Sequence, residues 1–175
     1  SSFDRYANAH SEYIIGDEEF ELDSDVHWNT LNGEEKIEFS GRIIGGCLDL
    51  IDAISGTKFD GAQRFIEKYK NDEIIWYFDN CELSSEDIIR TMWKFKQLGY
   101  FENASGIIFG RTMLEISNMD ISFKDAVKHS LYELNIPIIL DADIGHKPPQ
   151  FTIINGAIAN VKYENHLGKI NFRLT

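Results

Sequence analysis

Ile74-Ile75-Trp76-Tyr77-Phe78-Asp79-Asn80-Cys81-Glu82-Leu83-Ser84-Ser85-Glu86-Asp87 decides the fold class of this chain. Its first five residues are all apolar, without alternation, which suits a strand covered on both faces. They run straight into the acidic loop Asp79-Asn80-Cys81-Glu82. Ser84 followed three residues later by Asp87 signals a helix start, because the hydroxyl can accept a backbone N–H that the first turn leaves unpaired. Ile88, Ile89, Met92, Trp93 and Phe95 then predict an apolar face on a helix that ends before Gly99.

The same grammar repeats toward the C-terminus. Gly106 to Gly110 reads as a second strand, and Ser122 caps a helix that turns Ala126, Val127, Leu131 and Leu134 to the core. Ile136-Pro137-Ile138-Ile139-Leu140 reads as a third strand, which ends in Asp141-Ala142-Asp143-Ile144-Gly145-His146-Lys147-Pro148-Pro149. Strand and helix alternate from Ile74 to Leu140 at the spacing of right-handed βαβ units, so the strands are predicted parallel with their carboxyl ends on one edge. Asp79, Arg111 and His146 fall on that edge. Beyond the prolines the pattern changes to antiparallel hairpins. Phe151 to Ile154, the turn Asn155-Gly156 and Ala157 to Tyr163 form the first, and a polar turn from Asn165 to Gly168 leads to Lys169–Leu174.

Toward the N-terminus, Ile37–Phe39 and Arg42–Ile44 read as strand before Gly45-Gly46, and Cys47 to Ile54 as a short helix closed by Gly56. Gly41-x-x-x-Gly45-Gly46 lacks the order of a nucleotide-binding glycine loop and reads as a tight turn. Residues 1–40 are acidic and ragged: Tyr13–Ile15 and Glu19–Leu22 are candidate short strands, with Trp28 in a loop. A start of this kind suggests a boundary cut in a linker, with a partner domain upstream, although a ragged natural N-terminus looks the same. The predicted class is therefore α/β with mixed sheets: parallel strand–helix units followed by C-terminal antiparallel hairpins.

At 175 residues and 43% hydrophobic content the chain is long and apolar enough for one cored domain. Its apolar runs are too short to cross a bilayer, and no basic start precedes an apolar stretch, so a soluble, cytoplasmic protein is expected. The formal charge of −12 argues against nucleic acid or an anionic membrane as partner. The one locally basic stretch, Arg90 to Lys96, reads as a solvated helix face. Cys47 and Cys81 lack CxxC spacing and are expected to be buried free thiols in a reducing compartment.

His146 stands at a strand end in a loop stiffened by proline, where an imidazole can be held still for proton transfer. With a carboxylate at the end of another strand it makes two thirds of a nucleophile–base–acid triad. The residues alone also allow a structural loop histidine. No serine sits in a strained strand-to-helix elbow; Ser84 and Ser122 read as caps. Asp141, Asp143 and His146 are metal-ligand types within six residues, but neither HExxH nor an Asp-rich calcium loop is present, so neither metal nor cofactor is expected. His10, His27, His129 and His166 are scattered and read as surface or satisfied histidines.

Five motifs in order carry a resemblance: Gly41-Arg42-Ile43-Ile44-Gly45-Gly46-Cys47-Leu48; Gly56-Thr57; Trp76-Tyr77-Phe78-Asp79-Asn80-Cys81-Glu82-Leu83-Ser84; Gly106-Ile107-Ile108-Phe109-Gly110-Arg111; and Pro137 through His146. The series resembles the C-terminal domain of the LD-carboxypeptidase and microcin C immunity peptidase family of serine peptidases. That resemblance implies a swivelling β/β/α-type domain and a Ser–Glu–His triad, with the serine in an N-terminal domain absent from residues 1–175. His146 matches the family histidine, and Asp79 stands where the family usually has glutamate. Aspartate is one methylene shorter, so either the backbone moves in, the acid is weakened, or Glu82 takes its place.

The implied reaction is cleavage of an amide near a C-terminus, in a murein tetrapeptide or a microcin C-like aminoacyl nucleotide. The implied partners are the chain's own N-terminal domain and that small substrate, with a homodimer left open. The fragment alone is expected to be inactive. The competing reading is a non-catalytic binding domain that keeps the fold, and it gains if both Asp79 and Glu82 point away from His146.

Overall fold

The computed structural model describes residues 1–8 and 21–174. Two short strands, β1 (Arg5–Tyr6) and β2 (Ser24–Asp25), pair with each other. Then follow β3 (Asn29–Thr30), β4 (Lys36–Cys47), α1 (Leu48–Ile54), α2 (Ala62–Lys68), β5 (Ile74–Asp79), α3 (Ser85–Gln97) and β6 (Ala104–Gly110). The chain continues through α4 (Phe123–Leu131), a 3-10 turn (Tyr132–Leu134), β7 (Ile138–Ala142), β8 (Ile158–Glu164) and β9 (Leu167–Arg173). Strands β3 to β9 form one seven-stranded sheet in the order β3-β7-β6-β5-β4-β8-β9. The four central strands are parallel, and β3, β8 and β9 join antiparallel.

The sheet is covered on both faces, as the unalternating strands require. All six residues of β5 are buried. Trp76, Phe78, Ile107, Phe109, Ile138 and Leu140 pack on one face against Leu48 of α1, Ile88, Met92 and Phe95 of α3, and Val127 and Leu131 of α4. Ile75, Tyr77, Ile108 and Ile139 face the other way, onto Trp28, Phe39, Val161 and Tyr163. The sheet curls so that its outer strands and the segment before β3 cover its own inner face. The curl leaves no room for side chains at two places: a Cβ at Gly106 would lie 2.5 Å from the Phe39 ring, and one at Gly168 2.0 Å from Trp28. The result is the expected layering of two β layers and one helical layer.

Both helices start at their serine caps as read, and the second gives way to the 3-10 turn before reaching Leu134. The Ser84 hydroxyl accepts from Asp87 N at 3.2 Å and the Ser122 hydroxyl from Asp125 N at 3.1 Å. Three expectations change. The two strand pieces around Ser40 are one long strand, β4, that runs through the glycine pair to Cys47. Trp93, expected on the apolar face of α3, is 60% exposed, because Ile88, Met92 and Phe95 already fill the stripe that meets the sheet.

The third change concerns Asn155-Gly156, which does not close a hairpin. Phe151–Ile154 is not strand, because its first N–H goes to the carbonyl of Asp143 at 2.7 Å. The turn docks on β4 instead. The Asn155 side chain accepts from Gly45 N and donates to Gly45 O, while Gly156 N donates to Ile43 O. Close approach is possible there because residue 45 is glycine: a Cβ would sit 1.8 Å from Tyr77 O. The later turn does close a hairpin, with Asn165 and His166 both left-handed between β8 and β9.

Of the first forty residues, the candidate strand Tyr13–Ile15 and His10 lie outside the described residues, as do Glu19 and Phe20. Glu21 and Leu22 are not strand. Trp28 does sit in a loop, yet it is completely buried.

The loop after β6 is fixed by Glu86, in the first turn of α3. Its Oε1 accepts from Ser117 Oγ, Asn118 N and Met119 N. Its own backbone N–H and these three donors push the carboxyl from an ordinary 4.5 down to about 2. A depressed folded-state pKa stabilises the fold above the unfolded value and loses that contribution as pH falls through the folded one. The Glu86→Gln variant is therefore expected to lose less stability than the parent between pH 4.5 and about 2, as read by urea melts at stepped pH.

Candidate active site

The parallel strands bring Asp79 and His146 to one edge of the sheet. Asp79 is the last residue of β5, beside Cys47 of β4, and His146 lies on the loop that follows β7. Asp79 Oδ2 and His146 Nδ1 are 2.7 Å apart, with the carboxylate side chain 8% exposed and the imidazole 42% exposed. The carboxylate is thus held inside and the imidazole faces out. Burial raises the Asp79 carboxyl above its ordinary value, against the pull of His146. Engagement of Nδ1 leaves Nε2 as the ring nitrogen open to another proton partner.

Gly145 lets the loop come close to this carboxylate. It has φ +108°, and a Cβ added to it would lie 2.0 Å from Asp79 Oδ1. The loop backbone therefore passes close to the carboxylate, as only glycine allows here. Glu82 is exposed and its N–H is turned inward to Asp49, so Asp79 is the carboxylate on His146.

Asp49 was not legible as part of this site. Its carboxylate accepts from Cys81 N at 3.0 Å and Glu82 N at 2.9 Å, which ties the loop after β5 to the first turn of α1. The only available signal was an acidic residue just after the glycine pair, at a helix start. Cys47 and Cys81 flank this carboxylate. They are free and half-buried, not fully buried as expected, and desolvation raises both thiols.

Arg111 reaches the same edge but turns under the His146 loop. Its guanidinium donates to Asp143 Oδ1 at 2.6 Å and to the carbonyls of Lys147 and Pro149 at 3.0 Å each. Asp143 is wholly buried, and its second oxygen accepts from Trp28 Nε1 at 2.9 Å and Phe3 N at 3.2 Å. Asp141 accepts from Asn29 Nδ2 at 2.9 Å, and burial raises its carboxyl. The two aspartates weighed as metal ligands beside His146 are therefore turned to protein donors. Among the described residues no group of three or more His, Cys, Asp or Glu is placed to hold a metal ion. His166 meets Trp28 O at 3.0 Å, and His27, His129 and His166 are exposed.

These features define an α/β domain that presents an acid–histidine pair at the carboxyl edge of a parallel sheet. A family model described as the LD-carboxypeptidase C-terminal domain matches residues 40–161, and the chain belongs to that family. No curated protein sequence matches it.

Solved structures share the fold. An apo inactive mutant of the microcin C7 self-immunity protein MccF is 18% identical, with TM-score 0.70 over 99% of this chain and 49% of its own. An MccF-like protein from Streptococcus pneumoniae in complex with AMP is 22% identical, with TM-score 0.68 over 98% of this chain and 52% of its own. MccF in complex with glutamyl sulfamoyl guanosine is 17% identical, with TM-score 0.70 over 99% and 49%. The chain spans about half the length of these neighbours. Among the described residues no helix is long and apolar enough to cross a membrane.

Proposed function

We propose that this chain supplies the acid and the histidine of a serine carboxypeptidase-type hydrolase, with Asp79 and His146 in those roles and the serine on an N-terminal domain upstream of Ser1. The observation that carries this reading is the 2.7 Å contact between a buried carboxylate and Nδ1 of an outward-facing imidazole. His146 Nε2 takes the serine proton as the serine oxygen attacks the amide carbonyl. The C–N bond then breaks, and the same proton goes to the departing amine. A water deprotonated by His146 next cleaves the acyl-serine and restores the hydroxyl. Asp79 holds the ring in the correct tautomer and stabilises the imidazolium.

The substrate class is an amide near a C-terminus, and an aminoacyl nucleotide is favoured over a murein tetrapeptide. That preference rests on the AMP and glutamyl sulfamoyl guanosine bound to structural neighbours. A binding-only role would gain if both carboxylates turned away from His146, and Asp79 does not. The test is hydrolysis of aminoacyl-sulfamoyl adenosine and of murein tetrapeptide by the protein with its upstream domain. The parent is expected to turn over one of them and the His146→Ala variant neither. Equal turnover by both proteins would sink the proposal.

A further inference from the structure

We propose that Arg111 is a positioning residue for His146: its guanidinium is the post around which the loop from Asp143 to Pro149 is wound, and it sets where the imidazole meets Asp79. The role rests on reading the Asp79–His146 pair as the working acid and base. Its structural basis is independent of that reading.

His146 lies between two points that Arg111 grips. On one side is the Asp143 carboxylate, and on the other are the Lys147 and Pro149 carbonyls. The Arg111 backbone N–H also reaches back to Ala142 O at 3.3 Å, at the foot of the loop. The guanidinium is held in turn. Asp143 is locked by the indole N–H of Trp28 and the backbone of Phe3, and the Tyr6 ring covers the guanidinium face at 4.3 Å. Arg111 is 4% exposed, so water does not compete for these bonds.

Only a planar fork can serve three acceptors in fixed directions. A lysine ammonium at this position keeps the charge but is a point donor on a flexible stem. Gly145 leaves no room for even a Cβ between the loop and Asp79 Oδ1, so the loop has little slack on its inner side. A change in the guanidinium must therefore appear as a displacement of His146 relative to Asp79.

The readout is the proton shared between His146 Nδ1 and Asp79, which resonates far downfield in NMR spectra. In the parent chain this signal is expected, and it disappears in His146→Ala. In Arg111→Lys, with the fold retained by circular dichroism, the signal should shift or broaden into exchange, while the ring signals of His27, His129 and His166 stay in place. An unchanged signal in folded Arg111→Lys overturns the proposal. If Arg111→Lys does not fold, Trp28→Phe decides. That change removes the N–H to Asp143 together with part of the buried indole, so the fold is first checked by circular dichroism; a selective shift at His146 in the folded variant supports the proposal and an unmoved signal overturns it.

In the protein with its upstream domain, Arg111→Lys should lower kcat about tenfold to a hundredfold with KM little changed, the scale of effect expected from displacing a catalytic group by about 1 Å. If the hydrolase reading itself is wrong, the parent shows no turnover while the NMR coupling remains.

Discussion

Asp79→Asn in the protein with its upstream domain is expected to lower kcat by roughly 10⁴ while leaving the fold intact. That is the scale seen when the buried acid of a serine triad becomes an amide and the imidazole takes the wrong tautomer. The geometry favours a loss of that order here, because the Asp79 carboxylate engages Nδ1 at 2.7 Å. The same variant should gain stability. Burial raises the Asp79 carboxyl. A raised folded-state pKa contributes stability below the unfolded value and loses it as pH rises through the folded one, so the ionised carboxylate is a burden at neutral pH. Asparagine carries no such charge. Urea melts at pH 4 and pH 8 should therefore show Asp79→Asn gaining on its parent as pH rises. A variant with unaltered kcat, or one that is less stable at pH 8 than at pH 4 relative to the parent, contradicts this account. Opposite changes in activity and stability are what a functional acid predicts and a purely structural salt bridge does not.

How much of this was legible beforehand depends on the range of the interactions involved. The parallel core was readable because each unit carries its own local evidence: an unbroken apolar strand such as Ile74 to Phe78, then a serine cap. The placement of Asp79, Arg111 and His146 on one edge followed from topology, since parallel strands deliver their carboxyl ends there. The Asn155-Gly156 turn misled because a strong local hairpin signal was outbid by a distant partner, the exposed backbone of Gly45. Gly145, Asp49 and Trp28 were silent for the same reason. Each acts on residues far along the chain: Trp28 is 115 positions from the Asp143 carboxylate it donates to. No periodicity or spacing records such a contact. The resemblance in motifs left open whether Asp79 or Glu82 stands on His146. The structure puts Asp79 Oδ2 2.7 Å from Nδ1, where the Gly145 backbone leaves no room for a Cβ, and neither distance is written in the motif.

Asp143→Ala should be the most destabilising single change in the site region, at about 3–5 kcal/mol, because it removes one half of a buried ion pair and leaves the other uncompensated. The Arg111 guanidinium is 4% exposed and cannot turn to water, and the same carboxylate also satisfies Trp28 Nε1 and Phe3 N. Three donors from three parts of the chain lose their acceptor at once. Urea unfolding should show a large fall in midpoint with little change in slope. The double variant Asp143→Ala/Arg111→Met discriminates between loss of an attraction and stranding of a charge. If the cost is mainly the stranded cation, removing it recovers part of the loss, since a buried ion pair replaced by apolar groups is often close to neutral. Recovery should be incomplete, because the carbonyls of Lys147 and Pro149 then lack the donors that Arg111 supplied. A double variant no more stable than Asp143→Ala would instead mean that Asp143 matters through Trp28 and Phe3, and that the arginine is incidental to the stability of the His146 loop.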